Sequence, residues 1–210
     1  MQSSPSDRPE FAPRDADWDE EYAKSSDEAK AFSWYSGWSD LAPFWEELVP
    51  HEATVLLPGI GNDAAMVDLY DAGWRKLFAF DYAAEGVERS RELFGDGRPI
   101  DLRVADAREL PYADDAFDAV LDKGTFDAIF LAGGDSLARA VAEVARTVRP
   151  GGLVVSFTGF LDKVSAAFAD ERAWRCVRDG SVHVTESGYA SNSVNAHLLA
   201  WERVEEPGRD

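Results

Sequence analysis

The sequence has little cysteine, little positive charge and no long apolar run, and each shortage excludes a class of protein. Its 210 residues include one cysteine, Cys176, so no intrachain disulfide can form, as is typical of a reducing compartment. Lys and Arg number 21 against 40 Asp and Glu, a formal net charge of −19, which disfavours nucleic acid as a partner. No apolar run approaches the roughly 20 residues that span a bilayer, so we expect no membrane partner.

Residue types that carry metal or hydrolytic chemistry are also scarce. The three histidines, His51, His183 and His197, lack ligand spacing, so no metal site is predicted. The segment Ser156-Phe157-Thr158-Gly159 does not match a nucleophile elbow, and no Ser/His/Asp set is evident. We expect Cys176 to be a small buried hydrophobic side chain.

The two ends of the chain differ in composition from the middle. Residues 1–14 are rich in Ser and Pro and are predicted to be a flexible tail, as are residues 205–210. The N-terminus has neither a signal-peptide nor a transit-peptide pattern, so we expect a cytoplasmic protein. Residues 15–204 have the length of a single domain, which we expect to be a monomer or a weak dimer.

Strand-like and helix-like patterns alternate through the middle of the chain. A helix over 136–148, with Asp135 or Ser136 as its cap, has an apolar stripe at spacings of three and four. Buried strands separated by helices predict a parallel sheet with helices on both faces. The predicted strands cover 54–57, 77–80, 100–104, 117–121 and 153–157, and the other predicted helices cover 62–72 and 84–94.

The two ends of this region break the alternation. Residues 182–184 and 196–204 are separated by Gly, Ser and Asn without a helical stripe, which predicts a C-terminal antiparallel hairpin. Near the N-terminus, Asp17 and Glu20 have capping-box spacing. We therefore expect Trp18 and Tyr22 to share one face of a short helix.

Polar or glycine-rich segments follow four of the predicted strands. Because ligands of doubly wound sheets bind beyond the carboxyl ends of the strands, these segments mark the candidate site. They are the loop Pro58-Gly59-Ile60-Gly61-Asn62-Asp63, then Asp81-Tyr82, Asp106-Ala107 and Asp122-Lys123-Gly124-Thr125.

The chemistry of these segments favours a cationic nucleoside cofactor. The glycine loop and Asp81, about twenty residues later, suit NAD and S-adenosylmethionine almost equally. Asp106 can accept a hydrogen bond from an adenine amine, with the Ala107 amide on the ring edge, and Asp122 is expected to face an ammonium or a sulfonium. A pyrophosphate has little use for so many carboxylates, so S-adenosylmethionine is favoured over NAD.

Several stretches resemble the class I S-adenosylmethionine-dependent methyltransferases. Within that class, the chain is similar to the small eukaryotic group that methylates lysines of translation elongation factors and citrate synthase, from about residue 18 to residue 201. The glycine loop and Arg149-Pro150-Gly151-Gly152 are common to the class. More specific are Trp18-Asp19-Glu20-Glu21-Tyr22, Phe32-Ser33-Trp34-Tyr35, Asp68-Leu69-Tyr70-Asp71-Ala72-Gly73 and Asp122-Lys123-Gly124-Thr125-Phe126-Asp127-Ala128.

The resemblance implies a Rossmann-like seven-stranded sheet and one methyltransferase domain over 15–204, with residues 15–48 as a lid over S-adenosylmethionine. It also implies cofactor contacts from aromatic side chains, which suit a sulfonium through cation–π interactions. With the strand-end residues, the predicted cofactor-binding set is Trp18, Tyr22, Trp34, Gly59, Gly61, Asn62, Asp81, Tyr82, Asp106, Ala107, Asp122 and Lys123.

The methyl acceptor stays open at this point. The group usually has a small residue where this chain has Pro58, and Cys where it has Ile60. Proline there is familiar from small-molecule thiol and halide methyltransferases. The leading hypothesis is transfer to a protein lysine, for which acidic runs at 15–21 and 114–115 could attract a basic partner. The alternatives are a small-molecule thiol, amine or carboxylate, or a binding protein without turnover.

No catalytic base is assigned from the sequence. A lysine acceptor must lose its proton, because its pKa of about 10.4 leaves it charged at neutral pH. An aromatic pocket would favour the neutral amine by desolvation. The candidate walls of such a pocket are Trp34, Tyr35, Trp38, Phe126 and Phe160.

Overall fold

The computed structural model describes Trp18, Tyr22, residues 33–183 and residues 195–204. Seven strands and six helices lie in the two continuous ranges. The strands are β1 (Thr54–Pro58), β2 (Lys76–Asp81), β3 (Asp101–Val104), β4 (Phe117–Lys123), β5 (Val148–Thr158), β6 (Trp174–His183) and β7 (Asn195–Arg203). The helices are α1 (Trp38–Leu48), α2 (Ala64–Ala72), α3 (Ala84–Phe94), α4 (Thr125–Ala132), α5 (Ser136–Thr147) and α6 (Leu161–Ala167).

All seven strands form one sheet in the order β3-β2-β1-β4-β5-β7-β6. The first five pair in parallel, while β7 is antiparallel to both β5 and β6. The chain leaves β1 toward β2 and β3, then returns to β4 on the other side of β1. Such a reversal opens a crevice at the carboxyl ends of the central strands. The predicted seven-stranded sheet and C-terminal hairpin are confirmed.

Alternation along the buried strands divides the core into two layers. On one face Leu57 packs with Trp45 of α1 and Leu69 of α2. On the other face Leu56 packs with Phe126 of α4 and with residues of α5 and α6. The predicted helices on both faces of the sheet are therefore confirmed.

Two predicted helices begin and end close to the expected residues. Helix α2 starts at Ala64 rather than 62 because Asp63 is its N-cap, its carboxylate accepting from the Ala65 amide at 2.9 Å. It ends at Gly73, whose φ of 129° is accessible mainly to glycine. Helix α5 covers 136–147, but the predicted side-chain cap is wrong, since Asp135 makes no side-chain hydrogen bond at that end.

The structure corrects several local predictions. Strand β5 begins at Val148 rather than at the predicted residue 153, because Val148 pairs with Phe117. The glycines after Pro150 lie within the strand, where its register with β4 shifts. Strand β6 begins at Trp174, eight residues before the predicted hairpin strand. Cys176 is exposed on β6, not buried. The predicted tails and the capping pair Asp17 and Glu20 lie outside the described residues.

No helix in the described part of the chain is long and apolar enough to cross a bilayer.

Candidate cofactor-binding site

A cavity of about 320 Å³ opens at the carboxyl edge of the parallel strands. Its volume is in the range of small-molecule sites. Nine of the twelve predicted residues line it: Trp18, Tyr22, Trp34, Gly59, Asp81, Tyr82, Asp106, Ala107 and Lys123. Gly61 and Asn62 line a neighbouring cavity of about 20 Å³, which shares Tyr22, Trp34, Gly59 and Lys123 with the larger one.

The glycine loop is held tightly between two side chains. Gly59 has φ +56°, and a Cβ there would clash with the Thr125 hydroxyl. Gly61 has φ +49°, and a Cβ there would clash with the Tyr22 hydroxyl. Because L side chains rarely adopt such φ values, both positions need glycine for conformation and for space.

Asp81 is a buried carboxylate at the end of β2. It is 5% exposed and accepts hydrogen bonds from the backbone amides of Gly61 and Ala83, each at 2.9 Å. The Tyr22 hydroxyl also hydrogen-bonds to Asp81. Burial, followed by the charges of Asp81 and Asp63, raises the pKa of Tyr22 well above its ordinary value, so the phenol stays protonated.

The next strand end carries an ion pair that was not predicted from the sequence. Arg108 forms a bidentate ion pair with Asp106, in which Nη2 lies 2.6 Å from one carboxylate oxygen and Nε lies 2.9 Å from the other. Arg108 holds the pKa of Asp106 below its usual value. Tyr82 is 68% exposed beside this pair, and Arg108 itself lines the cavity.

Lys123 forms a buried ion pair with Asp63, a residue missed as a site residue by the sequence analysis. The Lys123 ammonium lies 2.8 Å from one Asp63 oxygen, and the two side chains are 4% and 10% exposed. Asp63 also accepts from the Ser33 hydroxyl. Asp63 thus caps α2, neutralises Lys123 and binds the segment before α1.

Asp122 lies inside the protein and does not line the cavity. One carboxylate oxygen accepts from the amides of Thr125 and Phe126 at 3.0 and 3.2 Å, and the other accepts from the Ser156 hydroxyl at 2.5 Å. Burial raises the pKa of Asp122 to about 7. The prediction that Asp122 faces an ammonium or sulfonium is wrong here, because both of its oxygens stabilise the start of α4 and its contact with β5.

Three aromatic side chains from the N-terminal region meet above the cavity. The Trp18 ring centroid lies 6.0 Å from that of Tyr22 and 6.5 Å from that of Trp34. Both Trp18 and Tyr22 face the cavity, as expected if they share one helix face.

The five predicted walls of an acceptor pocket divide into two groups. Trp34 and Tyr35 line the cavity. Trp38 packs on the Trp74 ring, with centroids 5.7 Å apart, and Phe126 packs on Phe168 at 5.6 Å, so both belong to the core. Phe160 contacts Phe130 and is not among the lining residues. The last three assignments are therefore corrected.

Asp127 is the most buried carboxylate of the lining, and it is not among the site residues predicted from the sequence. It is 2% exposed and accepts from the hydroxyls of Tyr35 and Thr158 and, at 2.9 Å, from the Gly159 amide. Burial raises its pKa. A single carboxylate in the apolar helix sequence of α4 was the signal that could have identified it.

The strand order and the residues at the strand ends together define a class I methyltransferase architecture. Residues 56–156 match the family described as a methyltransferase domain. The chain carries a class I S-adenosylmethionine-dependent methyltransferase domain and resembles the eEF1A lysine and N-terminal methyltransferases.

One such relative is the eEF1A lysine and N-terminal methyltransferase homolog of Drosophila melanogaster, 33% identical over 164 residues. The match covers 75% of this chain and 24% of the relative, so the chain spans about a quarter of that protein's length.

Solved structures share the fold. A protein solved in work on the conversion of a disulfide bond into a thioacetal group during echinomycin biosynthesis has a TM-score of 0.69 at 18% identity. It aligns over 89% of this chain and 91% of its own. A SAM-dependent methyltransferase from Methanosarcina mazei has a TM-score of 0.59 at 14% identity, over 77% and 97% of the two chains.

Proposed function

We propose that this protein binds S-adenosylmethionine in the described cavity and transfers the methyl group to a lysine side chain of a protein. The balance of charge in the lining is the observation that carries the proposal. In the described lining both basic side chains are already paired, Arg108 with Asp106 and Lys123 with Asp63. Asp81 and Asp127 add two further carboxylates, so the site suits a cation better than a pyrophosphate.

The adenosine half of the cofactor would lie over β2 and β3. Asp81 would accept from the ribose hydroxyls, with Tyr82 beside the adenine. Asp106 would accept from the adenine amine and Ala107 would contact the ring edge. The exposed Tyr82 ring and the partly exposed Asp106 are accessible from the cavity, which supports these roles.

The methionine half would lie over β1 and the start of α4. Gly59 and Gly61 allow close approach to the backbone, and Asn62 and Lys123 are the polar groups of that end. Trp18, Tyr22 and Trp34 supply aromatic faces toward a sulfonium. The position of these three rings over the cavity supports a lid in the part of the predicted segment 15–48 that precedes α1, since α1 itself packs into the core through Trp45.

The cofactor supplies an activated methyl group, and the protein's task is to hold the donor and acceptor in line at attack distance. A protein lysine is favoured as acceptor by the names of the relatives, which include eEF1A lysine and N-terminal methyltransferases and an EEF1A lysine methyltransferase 4. A net charge of −19 would also favour encounter with a basic partner. The cytoplasmic location remains a prediction.

Two measurements test the proposal. In calorimetry, S-adenosylhomocysteine should bind with one site per chain and raise the melting temperature, while NAD should do neither. With radiolabelled S-adenosylmethionine and a cell extract or recombinant eEF1A, label should appear in a protein band. Label only in the small-molecule fraction would instead support a small-molecule acceptor, and cofactor binding with no transfer would support a binding protein.

A further inference from the structure

The proposed cofactor contacts leave one buried acidic side chain of the cavity without a role. Asp127 lines the cavity on α4, is 2% exposed, and has no basic partner among its hydrogen-bond donors in the described residues. A buried carboxylate that is not paired with a cation is costly and is therefore commonly functional.

The strand order places Asp127 away from the adenosine residues. Asp106 follows β3, whereas Asp127 lies just after β4, and the partners Thr158 and Gly159 end β5. Strands β3 and β4 are three positions apart, which is about 14 Å at the usual spacing of 4.7–4.9 Å. Asp127 therefore lies on the β4–β5 side of the cavity, away from the residues proposed to hold the adenosine.

The carboxylate has capacity for one more donor. Its two oxygens offer about four acceptor sites, and three are taken by the Tyr35 hydroxyl, the Thr158 hydroxyl and the Gly159 amide. All three donors fix its orientation without neutralising it. Tyr35 has a left-handed φ of 62°, an uncommon conformation that directs this bulky ring into the lining.

The geometry points to Asp127 as the residue that binds the ammonium of the methyl acceptor and takes its proton, with Tyr35 as a positioning residue. This inference rests on the proposed function and names the residue that would select an amine as the methyl acceptor. A carboxylate acceptor would be repelled by Asp127, and a thiol would offer no cation for it to bind.

The step balances in atoms and electrons. The acceptor ammonium gives one proton to the Asp127 carboxylate and becomes a neutral amine. The amine lone pair then forms the N–C bond to the donor methyl while the C–S bond breaks, its electron pair remaining on sulfur. Asp127 later releases the proton to water. Burial raises the pKa of Asp127, which makes the carboxylate a better proton acceptor.

The first test measures amine binding without turnover. Saturation-transfer NMR of the S-adenosylhomocysteine-loaded protein would compare n-butylamine with butyrate and butanol. We expect butylamine alone to bind the wild-type cavity, and Asp127→Asn to weaken it at least tenfold. The matched control is Asp162→Asn, which removes one exposed carboxylate from the first turn of α6 and should leave butylamine binding unchanged.

The second test uses the pH dependence of methyl transfer to recombinant eEF1A. We expect Asp127→Asn to lose at least 100-fold in kcat at pH 7.5 and to regain about tenfold per pH unit up to the amine pKa of about 10.4. The wild type should rise less steeply. Tyr35→Phe, which keeps the carboxylate, should lose less than tenfold and keep the wild-type pH profile.

The outcomes separate this inference from the proposed function. If wild type binds no S-adenosylhomocysteine, the proposed function fails. Suppose instead that the wild type and Asp127→Asn bind S-adenosylhomocysteine with the same affinity. If butylamine and butanol then bind equally well to both proteins, the acceptor role of Asp127 is overturned. An equal fall of Asp127→Asn activity at every pH would likewise overturn proton transfer. If Asp127→Asn does not fold, the same binding test is made on Thr158→Val, which removes one donor to Asp127 and keeps the carboxylate. Binding of butylamine but not butanol by the wild type and by Thr158→Val supports the inference. Equal binding of the two ligands overturns it.

Discussion

The ammonium of Lys123 lies 2.8 Å from the carboxylate of Asp63, and 60 residues of chain separate the two. Their side chains are 4% and 10% exposed, so the pair ties the end of β4 to the start of α2 beneath the cavity.

Breaking this pair should be strongly destabilising. We expect Lys123→Met to lower the free energy of unfolding by about 3–5 kcal/mol, because it leaves the Asp63 carboxylate buried without a cation. Urea unfolding measures the loss. The double variant Lys123→Met with Asp63→Asn should lose less than the sum of the single variants. Strict additivity would contradict a direct pairing.

Asp81 should govern affinity for the cofactor. We expect Asp81→Ala to weaken S-adenosylhomocysteine binding by about 1–3 kcal/mol, the cost of losing hydrogen bonds to a charged group. Titration calorimetry measures this, with Asp96→Ala, an exposed position between α3 and β3, as the control. Unchanged affinity in Asp81→Ala would remove the ribose assignment.

Gly59 should not tolerate a side chain. Gly59→Ala combines a φ of +56° with a clash against Thr125, and we expect a loss of at least about 1 kcal/mol in unfolding free energy. Adding Thr125→Ala should restore part of the loss by removing the clash, while the backbone strain persists. A Gly59→Ala protein as stable as the wild type would contradict the described loop conformation.

Asp122 should make stability fall as the pH rises. Its pKa is raised to about 7 by burial, so the folded state binds this proton more tightly than the unfolded state does. Its contribution is therefore fully present below pH 4 and is lost as the pH rises to about 7, by up to about 1.4 kcal/mol per pH unit. Relative to wild type, Asp122→Asn should be stabilised progressively between pH 4 and 7. Chemical unfolding at several pH values measures the difference, and a constant difference would contradict the raised pKa.

Much of the fold follows from local patterns in the sequence. The apolar runs that became β1, β2 and β4 and the stripe of α5 are short-range features, as is the glycine that ends α2. Helix α1 was missed because Pro43 lies within it, and α4 because its eight residues are apolar apart from Thr125 and Asp127. Neither the proline nor the absence of a polar face is typical of a surface helix.

The candidate site was less predictable than the strands that carry it. Strand-end positions correctly placed Asp81 and Asp106 at the cavity, since strand direction brings the ends of parallel strands to one edge of the sheet. The partners of Lys123 and Asp127 depend on contacts across 60 and 31 residues respectively. Spacing along the chain gives no information on such contacts, and Asp122, at an equally good strand-end position, is turned inward instead.

The return of the chain at β1 has an evolutionary consequence. The residues that we propose to face the nucleoside lie between the end of β2 and the segment just after β3, whereas Asp127 and two of its hydrogen-bond donors, Thr158 and Gly159, come later in the chain. If these assignments hold, substitutions in the later stretch change the choice of methyl acceptor and leave the proposed donor contacts intact.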